Sequence, residues 1–132
     1  MAAEIPASHR DLLSKKAFAH LATLSADGRP QVTPVWFDFD GRCIRVNSAR
    51  GRAKDKHMRR DARVALSIID PDNSYRYLEI VGDVVEITES GANAHIDSLA
   101  QTYMGVDSYP FHQPGVERVI YRIEPLRFST MG

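Results

Sequence analysis

Hydrophobic and polar residues alternate along most of this chain, and period 2 marks half-buried strands. It runs through residues 18–25 (FAHLATLS) and 31–40 (QVTPVWFDFD), joined by Asp27-Gly28, a pair that supplies the positive φ of a hairpin. A second such pair, Asp40-Gly41, leads into 42–49 (RCIRVNSA). Further strands are predicted over 63–70, 75–89 and 118–130. Gly82, inside the longest run, marks a bulge or sharp bend. Pro34 cannot donate to a ladder, so its strand lies at an edge or where the ladder opens. A helical period covers 90–104 and places Ile96, Leu99, Ala100 and Tyr103 on one face. Ser8 can cap a short helix through about Lys16. Six strand segments with only short helices between them predict a mainly β protein, a six-stranded antiparallel barrel. At 132 residues the chain is read as one domain, 1–132.

Composition narrows the setting. The single cysteine, Cys43, excludes an internal disulfide and fits a reducing cytoplasm. It sits in an alternating strand with no base partner in view, so it reads as a buried apolar residue. No apolar stretch approaches the ~18 residues that span a bilayer. The N-terminus has no signal-peptide core, which makes a cytoplasmic location the expectation.

Charge changes the picture more. The chain is neutral, with 17 basic and 17 acidic residues. Yet residues 42–63 hold nine Lys or Arg against two Asp, a net +7 that leaves −7 elsewhere. Arg52, Lys56, Arg59 or Arg60, and Arg63 recur at helical spacing and can converge near a helix start, where main-chain N–H groups add partial positive charge. The run reads as a phosphate site or as a solvated basic helix paired with acidic neighbours. Nucleic acid is disfavoured by the neutral total and the short basic region. Membrane attachment is disfavoured because Ala53 and Met58 are nearly the only apolar residues there. Asn47 and Ser48 precede the run, and the hairpin partner TPVWF offers Trp36 and Phe37 as an apolar wall. A flat aromatic ligand with a phosphate tail would suit that neighbourhood. The histidines are scattered, no metal-ligand spacing occurs, and no catalytic side chain is identifiable.

Roughly residues 12 to 128 resemble the pyridoxamine 5′-phosphate oxidase-like, FMN-binding split-barrel superfamily, closest to actinobacterial oxidoreductases that use the deazaflavin coenzyme F420. The most telling stretch is Arg52-Ala53-Lys54 followed by Met58-Arg59-Arg60-Asp61-Ala62-Arg63, close to the family's R-x-K-x-x-N-l-r-r-D-p-R. His57 stands where the pattern has Asn, and Ala62 where it has Pro. The resemblance implies a split β-barrel, a homodimer, and two cofactors in grooves at the subunit interface. By position, Arg52 and Lys54 would hold the cofactor phosphate, with the Ala53 amide between them. Thr33, Pro34 and Val35 would run beside the ring, Asn47 and Ser48 near the ribityl chain, and Tyr75 would reach the groove from the other subunit.

A deazaflavin has carbon where a flavin has its central nitrogen, so it passes hydride as a nicotinamide does, and the protein orients, shields and polarises. The implied function is an F420-dependent reductase acting on an unsaturated small molecule such as an enone, quinone or tetrapyrrole. An FMN-dependent reductase or oxidase of the same fold, or a non-catalytic cofactor-binding protein, is the alternative. The surplus of Arg50, Arg52, Lys54, Lys56, Arg59 and Arg60 fits the polyanionic F420 tail, with Lys56 and Arg59 facing it. Strands as apolar as those carrying Val35, Phe37, Val64 and Ile80 would leave a monomer with an exposed patch, which also predicts a homodimer.

Overall fold

Alternating sequence becomes alternating burial. The computed structural model describes residues 3–132. Its strands are β1 (Ala19–Leu24), β2 (Pro30–Val35), β3 (Phe37–Phe39), β4 (Ile44–Ala49), β5 (Arg63–Asp70), β6 (Asn73–Thr88) and β7 (Arg118–Met131). They form one antiparallel sheet in the order β2-β1-β5-β6-β7-β4-β3. Two helices, α1 (Ala53–Arg60) and α2 (Ala92–Met104), pack against it, and a 3-10 turn spans Ala7–Leu13.

Among the described residues seven strands are present rather than six, because the run 31–40 does not stay in one ladder. Its first half pairs with β1 at one edge of the sheet, and its second half pairs with β4 at the other. The chain leaves the ladder at Trp36, between the two. One hydroxyl fills that break: Tyr103 Oη donates to the Ala17 carbonyl at 2.6 Å and accepts from the Phe37 N–H at 3.4 Å. The sheet therefore curls into a split barrel, with Pro34 on the edge strand β2.

The interior is lined by alternate residues of each strand, among them Leu21, Val46, Leu66, Ile80, Tyr121 and Ile123. Gly82 sits at a register shift between β6 and β7. A Cβ there would meet the Glu124 carbonyl at 2.5 Å, so only glycine lets the two backbones approach this closely. The α2 face is as the periodicity predicts, with Ile96, Leu99, Ala100 and Tyr103 buried.

Three expectations are corrected. Ser8 caps nothing, because the first turn is 3-10, starts at Ala7 after Pro6, and has no side-chain cap; the Ser8 hydroxyl bonds His9 Nδ1 at 2.7 Å. Arg63 does not converge with Arg52 on one helical face, because α1 ends at Arg60 and Arg63 already belongs to β5, where it pairs with Asp61 at 2.8 Å. Val35, Phe37, Val64 and Ile80 leave no exposed patch, since each is buried in the core of a single chain. The exposed apolar side chains are others, including Phe18, Val32, Tyr75 and Phe111.

Candidate functional site

The basic run 42–63 is largely neutralised by the strands that fold beside it. Arg42 pairs with Glu124 at 3.0 Å, Arg45 with Asp38 at 2.8 Å, and Arg50 with Glu89 at 2.6 Å and Glu117 at 2.8 Å. Arg59 reaches back one turn to Asp55 at 2.9 Å, and Arg60 donates to the Leu24 carbonyl at 2.9 Å. Asp55 is itself buried, and accepts from Tyr121 Oη at 2.5 Å and the Gly51 N–H at 2.9 Å. This carboxylate ties the start of α1 to the barrel core. Among the described residues, Arg52, Lys54 and Lys56 are the cations of the segment left with no carboxylate partner and no hydrogen bond.

Two of these three face a groove of about 290 Å³. Arg52 and Lys54 stand at one end, joined by Arg118 from the start of β7, which pairs with Ala49 of β4. The other walls are apolar and aromatic. Pro34, Val35 and Trp36 come from the β2–β3 break, Ile96 and Leu99 from α2, and Phe18, Tyr109 and Phe111 from loops. Trp36 stacks on Tyr103 with ring centroids 5.3 Å apart and meets Tyr109 edge-on at 6.2 Å. Asp97 of α2 holds the loop in place by accepting from the Tyr109 N–H and contacting His112 Nε2, both at 2.8 Å.

The electrostatics of the cationic end are unfavourable for the chain alone. Burial pushes the Lys54 ammonium below its ordinary value, and the neighbouring Arg52 and Arg118 push it the same way. Burial likewise lowers Arg118, whose guanidinium lies 5.3 Å from the centre of the Tyr109 ring. Three adjacent cations without an acid are a cost that a bound anion removes. The orphan N–H groups at the start of α1 add to the same field.

Of the residues implied by resemblance, Pro34, Val35, Asn47, Arg52 and Lys54 meet on this groove. Thr33 pairs with buried Leu21 and shares its inward face, and Ser48 is buried with a hydroxyl that has no hydrogen-bond partner. Ala53 and Lys56 are exposed on α1, outside the groove lining, and Arg59 is turned to Asp55. Tyr75 is 80% exposed near the β5–β6 turn, away from this chain's groove. Phe37, offered as an aromatic wall, faces the core; Trp36 alone of that pair reaches the groove. Sequence reasoning missed Arg118 and the wall from Tyr109 and Phe111. The aromatic cluster in the loop YPFH was a signal for the second. For Arg118 there was none, because its place beside the basic loop depends on strand order.

A groove with a flat aromatic wall and an unmatched cationic end suits an aromatic cofactor carrying phosphate. The likeness to known proteins agrees. The structure superposes on a solved F420 reductase with a TM-score of 0.84 and 36% identity, covering 95% of this chain and 98% of that one. A conserved hypothetical protein of Mycobacterium tuberculosis matches at 25% identity and a TM-score of 0.77, covering 98% and 86%. HupZ of Group A Streptococcus shares the fold at 21% identity, with a TM-score of 0.69 and coverage of 96% and 94%. The family model described as pyridoxamine 5′-phosphate oxidase matches residues 5–132. The chain is therefore a member of the pyridoxamine 5′-phosphate oxidase-like family, built as a split barrel.

Proposed function

We propose that this oxidoreductase-type barrel is an F420-dependent reductase that delivers hydride to an unsaturated small molecule of the enone, quinone or tetrapyrrole type. The observation that carries the reading is the set Arg52, Lys54 and Arg118, unmatched by carboxylates at the end of an aromatic groove, in a chain 36% identical to an F420 reductase. When bound, the deazaflavin would supply the hydride. The chain's residues supply the rest. Arg52, Lys54 and Arg118 hold the anionic portion by charge-assisted contacts. Pro34, Val35 and Trp36, with Ile96 and Leu99, offer the ring an apolar wall and exclude water from it. No side chain is needed as a nucleophile.

The groove is open on one side, and Phe18 and Phe111 at its rim are exposed. A second copy of the chain in a homodimer closes it, with Tyr75 reaching across in that assembly. The reading places the protein in the cytoplasm, where a free, buried Cys43 stays reduced. Among the described residues no helix is long and apolar enough to cross a membrane.

FMN is the second reading, and one observation favours it: Arg50, Arg59 and Arg60 are already engaged within the chain, which leaves fewer cations for a long polyanionic tail than the sequence count implies. Lys56, exposed one turn beyond the groove, is the remaining candidate for the tail. The activity test is oxidation of reduced F420 by menadione and by cyclohexenone in the presence of the protein. Catalysed oxidation supports the reading; no rate above background with any acceptor, alongside turnover with reduced FMN, would move the protein to the flavin branch.

A further inference from the structure

Arg118 is 7% exposed, has no carboxylate partner among the described residues, and is held next to Arg52 and Lys54. A chain of hydrogen bonds explains how. Arg118 Nε donates to Asn47 Oδ1 at 2.8 Å. Asn47 Nδ2 donates to the Ala92 carbonyl at 2.9 Å and meets His95 Nδ1 at 3.1 Å. His95 Nε2 lies 3.1 Å from Asp38 Oδ2, and Arg45 grips the same carboxylate with two contacts of 2.8 Å. Two fixed partners set every proton. The Ala92 carbonyl needs an N–H from Asn47, and the Arg118 N–H needs an oxygen, so the amide has one orientation. His95 Nδ1 must then accept, which puts the ring proton on Nε2, pointing at Asp38. All donors point from the groove toward one carboxylate, and such aligned bonds polarise one another.

We infer that Asp38 and His95, acting through Asn47, form a relay that positions the Arg118 guanidinium for an anion in the groove. The inference rests on the anion-binding reading above but not on which cofactor is bound. The physical logic is that a carboxylate in direct contact would neutralise the cation and compete with its ligand, whereas a neutral amide orients it without doing so. Asp38, itself held by Arg45, fixes the His95 ring, and the ring in turn fixes the Asn47 amide. Arg118 Nε is spent on the relay, while the residue also lines the groove beside Arg52 and Lys54. Asn47, His95 and Asp38 are positioning residues: the first bonds Arg118, and the others act through it.

The test is calorimetric titration of the full-length protein with inorganic pyrophosphate at low ionic strength, with F420 titrated in parallel. Arg118→Gln is expected to weaken pyrophosphate binding about tenfold or more. Asn47→Asp, an isosteric change, places a carboxylate directly on Arg118. It should weaken binding about tenfold even though an oxygen stays on Arg118 Nε. His95→Phe should cost about fivefold alone but add nothing in the Arg118→Gln background, and His95→Gln, which can still accept and donate, should restore binding. Asn47→Asp remains decisive should His95→Phe fail to fold. Wild-type affinity in Asn47→Asp, equal losses from His95→Phe in both backgrounds, or no pyrophosphate binding by the wild type would overturn the relay. If F420 fails to bind while pyrophosphate follows the expected pattern, the cofactor reading falls and the relay stands.

Discussion

Lys54 is held in an environment that disfavours its charge: half-buried, beside Arg52 and Arg118, with its pKa lowered first by burial and then by those cations. A lysine whose folded pKa lies below its unfolded value binds its proton more tightly in the unfolded chain. Below both values the full penalty opposes folding, and stability rises as pH climbs from the folded pKa toward the ordinary lysine range. Lys54→Met should therefore be more stable than the parent at neutral pH, with the gap closing by about pH 10. Urea unfolding at the two pH values measures this, and a parent more stable at neutral pH would contradict it. The same substitution should weaken cofactor binding by roughly 1.5–3 kcal/mol, the worth of a charge-assisted contact. Opposite signs for stability and affinity are the mark of a residue kept for its ligand.

At the scale of elements, the curl of the sheet depends on two small features. Gly82→Ala would drive a Cβ into the Glu124 carbonyl, a backbone atom that cannot rotate away, and should cost about 1–3 kcal/mol of overpacking. Tyr103→Phe would leave the Phe37 N–H and the Ala17 carbonyl unsatisfied at the strand break, again about 1–3 kcal/mol. Thermal melts read both; a variant that melts with the parent would show that its contact does not hold the barrel closed. These elements also show where sequence was legible. Gly82, the two Asp-Gly turns and the face of α2 follow from local chemistry, and each is found where the pattern put it. The division at Trp36 was only partly readable: the apolar run Pro34-Val35-Trp36-Phe37 interrupts the alternation of 31–40, but only the strand order assigns its halves to two edges. The fate of the basic run was not readable: Glu89, Glu117 and Glu124 reach Arg50 and Arg42 from distant parts of the chain, so counting charges overstated what remains for a ligand.

For the whole molecule, the open groove and its exposed aromatic rim are the physical basis of the proposed homodimer, in place of the core residues that first implied it. Sedimentation velocity at micromolar concentration should report about twice the chain mass of 14.8 kDa. A monomer would remove both the dimer and the cross-subunit role of Tyr75. The central claim is that the groove takes a deazaflavin in preference to a flavin. F420 and FMN share an aromatic ring system and a phosphate, but F420 continues into a tail with several more negative charges, and the proposal assigns the exposed Lys56 to that tail. Exposed pairs of this kind contribute about 0.2–1 kcal/mol each and are screened by salt. The direct measurement is side-by-side titration of the purified protein with both cofactors at low and high ionic strength. The account predicts tighter F420 binding at low salt, a gap that narrows as salt rises, and a loss confined to F420 in Lys56→Glu; tighter FMN binding at every salt concentration would contradict it.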